Sequence, residues 1–233
     1  MKIGRRKFLK WLAGMTLSWP LSAQAVCSRP GETPEQARRT ASGGMLTLFL
    51  CGDVMTGRGI DQILPHKSDP RIYEPHLRDA RDYIALAESA NGPIPRTVPY
   101  DYIWGDALAE LDRRSPDARI VNLETAVTLQ DTPVPKGINY RMHPANVDVL
   151  TAAAIDCCAL ANNHMLDWGP EGLKETLAVL RRAGIQTAGA GNDLAQAQAP
   201  AIVRLAGKGR VLVFAFGSRY SGIGLNWSAT RSA

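Results

Sequence analysis

Four side chains suited to a cation site stand at the ends of three apolar runs: Asp53 in "GDVM", Glu124 in "NLE", and Asn163 with His164 in "ANNH". Carboxylate and amide oxygens with one imidazole make a hard donor set that suits Mn²⁺ or Mg²⁺, with Zn²⁺ or Fe also open. Such an ion polarises a substrate oxygen or lowers the pKa of a bound water. Each fragment also has a plainer reading. Gly-Asp after a strand often closes an Asx turn, and Asn-Leu-Glu is not distinctive. Asn162, Asn163, His164 and Asp167 could be turn chemistry plus a helix cap, although a turn needs one or two such residues and this stretch spends four.

A shared site requires elements that carry distant residues to one rim. "MLTLFLCGD" is a continuous apolar run ending in Gly-Asp, as expected of a buried parallel strand that feeds a loop. "ARIVNLE" and "IDCCALA" read as two more strands, and "IQTAGA", "APAIVRLA" and "RVLVFAF" as further ones. Helices are expected over 59–64, 80–89, 103–113 and "ANVDVLTAAA", with "TPVPKGINYRMHP" as loop or edge structure between strands. The clearest helix is "PEGLKETLAVLRRAG". Pro170 suits its first turn, Leu173, Leu177 and Leu180 share a face, Arg181 and Arg182 complement the carboxyl end, and Gly184 stops it. The alternation of strand and helix predicts a layered α/β fold with a mostly parallel sheet flanked by helices. Ligands of such sheets collect outside the carboxyl ends of the strands, which is where Asp53, Glu124, Asn163 and His164 fall.

Two further residues are candidates for binding substrate. Arg58 follows "GDVMTG" and could meet a carboxylate or phosphate through its planar fork, or be an ordinary solvated arginine. Asp167 either orders the turn ahead of the helix or touches substrate. "GAGN" at 189–192 lacks the full phosphate-loop fingerprint and reads as a turn into a short helix. His143, before a proline, reads as a loop histidine.

The chain has 233 residues, 45% hydrophobic and 21% charged, enough for one well-packed domain. Its net charge of +5 is matched by Lys2, Arg5, Arg6, Lys7 and Lys10, in a start that lacks Asp and Glu. The rest is near neutral, which argues against a nucleic-acid partner. Residues 1–25 run from basic through apolar to small residues and read as an export signal, with Arg5-Arg6 followed by Phe8, Leu9 and Lys10 resembling the twin-arginine type. Residues 26–44 read as a linker, and the domain as 45–233. The expected location is therefore extracytoplasmic, in the periplasm or beyond. Cys51, Cys157 and Cys158 fall in strand-like runs and read as small core residues rather than a disulfide or thiol site.

"GDVMTGRGI", "VNLETAVT", "ALANNHMLDWGPEGLKETLAVLRRAGIQTAGAG" and "AQAPAIV" together resemble the family of the poly-γ-glutamate (capsule) synthesis protein CapA, in order and spacing. That family is similar in fold to calcineurin-like metallophosphoesterases, which hold two metal ions. By position the resemblance makes Asp53 a metal ligand, Glu124 the bridging carboxylate, Asn163 the amide ligand and His164 the catalytic, proton-donating or charge-stabilising histidine. Met55 stands where the fold relatives carry a histidine, which weakens one metal position. The family's later histidine motifs have no counterpart, since of His66, His76, His143 and His164 only the last has a matching context. The resemblance thus implies the N-terminal part of the usual domain, with an impaired two-metal site. The expected function is in synthesis or export of an anionic polymer such as poly-γ-glutamate, beside a membrane-bound complex, with a divalent-metal hydrolase-type site. A non-catalytic polymer-binding factor and a general exported metallophosphoesterase acting on a phosphoester are the alternatives.

Overall fold

The computed structural model describes residues 45–229. The expected leader and linker lie outside the described residues. Four parallel strands form the main sheet: β1 (Leu48–Val54), β2 (Ala118–Leu123), β5 (Cys157–Ala159) and β6 (Gln186–Ala188), in the order β1-β2-β5-β6. Between β1 and β2 come α1 (Arg58–Ile63), α2 (Arg81–Asn91) and α3 (Ala107–Arg114). The short strands β3 (Ala126–Val127) and β4 (Arg141–Met142) pair in parallel, and α4 (Asp148–Thr151) leads to β5. The long helix α5 (Gly169–Arg182) joins β5 to β6, and α6 (Leu194–Gln198) leads to a hairpin of β7 (Ala201–Leu205) and β8 (Gly209–Val213).

The two faces of the sheet are covered differently. Val121, Leu123 and Cys158 share a core with Ile63 of α1, Ile84 of α2, Leu150 of α4 and Leu173, Val179 and Leu180 of α5. Ala118, Ile120, Cys157 and Ala188, on the opposite face, pack against Ala201, Val203 and Leu205 of β7. The chain is thus an α/β protein with a parallel sheet between helices and a hairpin. That hairpin is antiparallel, so the last two expected strands do not extend the parallel sheet.

Other departures are local. The helix expected over 103–113 is a 3₁₀ turn, Tyr102–Trp104, then α3, with Gly105 between them at φ 49°. "ANVDVLTAAA" is likewise a 3₁₀ turn, Pro144–Asn146, followed by the single turn α4. Cys157 and Cys158 are buried free thiols, and burial pushes the Cys157 thiol up to about 12 and that of Cys158 still higher, which fits core residues rather than thiol chemistry. Among the described residues no helix is long and apolar enough to cross a membrane.

Candidate functional site

The site begins with an irregularity in β1. Leu50 pairs with Ile120 and Cys51 with Val121, but the register then shifts, so that Asp53 rather than Gly52 lies opposite Asn122. Side chains alternate between the faces of a strand, and one extra residue reverses the alternation. Without the bulge Asp53 would share Cys51's side, toward the helical core. With it, Asp53 aligns with Asn122, beyond the hairpin-covered face. Glycine inside a strand is the usual mark of such a bulge.

Asn122 then binds two carboxylates at once. Its Nδ2 donates to Asp53 Oδ1 at 2.7 Å and to Glu124 Oε2 at 2.6 Å. Both acids therefore converge on one amide nitrogen at the end of β2. Asn162 ties the turn after β5 to the same place: its Nδ2 donates to Asn122 Oδ1 at 3.1 Å and to the Leu123 carbonyl at 2.9 Å, while its Oδ1 accepts from the His164 amide. Asp53, Asn122, Glu124, Asn162 and Asn163 line one cavity of about 530 Å³, whose other wall is Phe214, Ala215, Phe216 and Ser221. Burial pushes the Glu124 carboxyl above its usual range, the Asn122 amide pulls it back, and the neighbouring charge of Asp53 adds to the rise.

His164 is fixed from its far side. Its Nδ1 lies 2.7 Å from Asp167 Oδ2, and its Nε2 lies 3.9 Å from Glu124 Oε1. A carboxylate only accepts, so Nδ1 carries the proton, and Nε2 is the nitrogen that faces the acid cluster. Asp167 is fully buried. It also accepts from the Tyr140 amide at 2.6 Å and from Lys136 Nζ at 2.6 Å. Lys136 in turn reaches the Asn163 carbonyl and lies under the Trp227 ring. Asp167 is not the helix cap; Trp168 holds that position in α5, without a side-chain cap. The contacts of Asp167 are internal, in keeping with an ordering role for the turn.

Asp53, Glu124, Asn163 and His164 are therefore brought together, as the strand-end argument requires. Arg58 sits elsewhere: its Nε pairs with Glu74 Oε1 at 2.5 Å, and its guanidinium lies between the rings of Tyr83 and Tyr140. Sequence reasoning missed Lys136, Tyr140 and Glu74, which lie in loops with no periodic or motif signal. It noted Asn122 only as a strand end.

The donor set fits one hard cation better than two. Among the described residues no three His, Cys, Asp or Glu side chains converge as a cation cage, so any cation held by Asp53 and Glu124 would need amide oxygens as further ligands. Hard cations accept such mixed oxygen ligands and keep waters at the remaining positions.

Residues 47–233 match the model of a family described as "Bacterial capsule synthesis protein PGA_cap". A probable polyglutamine synthesis accessory protein of Mycobacterium tuberculosis is 46% identical over 188 residues, which are 80% of this chain and 50% of that protein. The PGA biosynthesis protein CapA of Bacillus subtilis is 28% identical over 170 residues, 72% of this chain and 35% of its own. The capsule biosynthesis protein CapA of Bacillus anthracis is 26% identical over 152 residues, 64% of this chain and 29% of its own. The chain thus spans about half the length of the mycobacterial relative, and less of the other two. With the family model running through all three strand ends that build the cavity, the chain belongs to the bacterial capsule synthesis protein family, PGA_cap.

Proposed function

We propose that this chain is an exported member of the capsule and polyglutamate synthesis machinery, and that its strand-end cavity handles an anionic polymer through a bound divalent cation. The observation that carries this reading is the convergence of Asp53 and Glu124 on the Asn122 amide, in a cavity that Asn163 also lines. Asp53, Glu124 and the Asn163 amide oxygen would hold the ion, of the Mn²⁺, Mg²⁺, Zn²⁺ or Fe class. When bound, the cation supplies polarisation of a substrate carbonyl or phosphoryl oxygen and charge neutralisation for a polyanion. The protein's part is orientation. Asp167 holds the Nδ1–H of His164, so Nε2 is the nitrogen that would take a proton from an attacking water and pass it to a leaving group, the imidazolium formed in between stabilising a developing anion. Phe214 and Phe216 wall the cavity beside the acids, and a γ-glutamyl chain can lay its methylenes against them. The names of the relatives, which speak of polyglutamine, PGA and capsule synthesis, support a capsule polymer as the substrate class, with polyglutamate our choice among such polymers, and the basic, apolar start of the chain supports export to a periplasmic or extracytoplasmic membrane-bound complex.

One observation favours a second reading, capture of the polymer without turnover. The Asn122 amide already satisfies both carboxylates, so the cluster is stable without an ion. The test is metal content and hydrolysis of poly-γ-glutamate and of simple phosphoesters by the purified chain, beside N163A and H164A. Hydrolysis lost with polymer binding retained is the expected result. Loss of polymer binding alone, from a wild-type chain that turns over neither substrate, would leave only the capture reading.

A further inference from the structure

The candidate proton donor heads a column of four stacked groups, and the three behind it are used by no part of the cation chemistry. The rings of His164 and Tyr140 lie 3.8 Å apart at an interplanar angle of 20°. The Arg58 guanidinium carbon lies 4.5 Å from the Tyr140 ring centroid and 4.8 Å from that of Tyr83; with the His164 ring 3.8 Å from one face of Tyr140, the guanidinium has room only on the other. Both guanidinium distances are inside the ~6 Å at which a cation is held by an aromatic face. Glu74, itself buried, closes the column, with Oε1 on Arg58 and Oε2 accepting from the Tyr83 hydroxyl.

We propose that Arg58 and Glu74 are positioning residues that set the ring plane of His164 through Tyr140. The proposal rests on the reading of His164 as a proton donor, and it concerns how that donor is aimed. Three observations carry it. First, Arg58 adopts φ 52°, a left-handed conformation that a side chain with a Cβ enters only when its surroundings hold it there. Second, the preceding Gly57 is pressed on β4, where an added Cβ would stand 2.8 Å from the Arg141 carbonyl oxygen, so the loop after β1 is locked beside Tyr140. Third, the Tyr140 amide donates to the same Asp167 oxygen that receives His164 Nδ1, so Tyr140 supports the imidazole by its backbone and by its ring.

A histidine held only at Nδ1 can still swing about that hydrogen bond, because its terminal torsion is soft. A ring packed on its face cannot. The column removes that freedom and leaves Nε2 directed at Glu124. Glu74 neutralises the guanidinium, so Arg58 acts as a planar spacer rather than as bait for an anionic substrate. This assigns Arg58 a task different from substrate binding, and gives Tyr140 and Glu74 one as well.

The experiment is NMR of histidine-labelled full chain, in which H164Q identifies the His164 signals among those of the four histidines, combined with steady-state hydrolysis. In the wild type the Tyr140 ring current is expected to displace the His164 ring protons upfield. Y140F, which keeps the aromatic face, should keep that displacement. Y140L should abolish it, and R58M and E74Q should each reduce it, with the His66 and His143 signals unmoved. In R58M kcat should fall on the order of tenfold at unchanged KM, as for other losses of a supporting contact. If R58M does not fold, E74Q decides, since it keeps the arginine and removes the charge that holds it. Folded R58M or E74Q with His164 signals at their wild-type positions would overturn the proposal. Displaced signals in a wild-type chain that shows no hydrolysis would sink the hydrolytic reading while supporting the column.

Discussion

Asn122 decides what the acid pair can do. Two carboxylates facing one cavity repel, and a single amide nitrogen at 2.7 and 2.6 Å relieves them in the absence of a cation. N122A should therefore cost about 1–3 kcal/mol of stability by stranding acceptors, and the loss should shrink when Mn²⁺ is added, because the ion replaces the amide. Thermal unfolding with and without the metal measures both effects. Glu124 adds a pH dependence. Its carboxyl is raised by burial, so the folded chain holds that proton more tightly than the unfolded chain does. This contribution is full below the usual carboxylate range and is lost as pH rises through the raised value. A cation competes with the same proton, so its effect runs the other way. The Mn²⁺-induced rise in melting temperature should grow with pH across that window, and E124Q should flatten the profile.

At the scale of elements, α5 is the piece that local signals describe most fully. Leu173 and Leu180 are buried and Leu177 packs at the margin of the same core, as the spacing predicts. Pro170 falls in the first turn, Arg181 and Arg182 in the last, and Gly184 follows at φ 77°. Leu180 is fully buried against the sheet, so L180A should destabilise the chain by about 2–5 kcal/mol, read from denaturant midpoints at unchanged slope. The first strand was legible in extent, but its bulge was not used. "GDVM" reads equally as a turn, and only the pairing of β1 with β2 shows that Asp53 has been moved across the sheet. The region 103–113 shows the opposite failure, since a helical pattern ran over Gly105, whose positive φ ends the 3₁₀ turn.

For the whole molecule, the arrangement of apolar surface matters most. The helices cover one face of the sheet and the β7–β8 hairpin part of the other, yet Leu50 on the edge strand β1 is 68% exposed and Leu212 on β8 is 47% exposed. Exposed edges and apolar patches promote association. A chain carrying L50K and L212K should show less concentration-dependent light scattering than the wild type, with its melting temperature unchanged because neither side chain is in the core.

The sequence by itself determined the α/β class, the three strands that carry or lead into Asp53, Glu124 and Asn163, the helix α5 and the family to which the chain belongs. Those depend on period, capping and motif, which are encoded within a few residues of one another. Tertiary structure alone decided that Asn122 bridges the acids, that Lys136, Asp167 and Tyr140 hold His164, and that Arg58 pairs with Glu74. The deciding contacts, Asn122 to Asp53, Tyr140 and Lys136 to Asp167, and Arg58 to Glu74, join segments separated in the chain, and a side chain's partner there depends on where the backbone carries it, which no local pattern records.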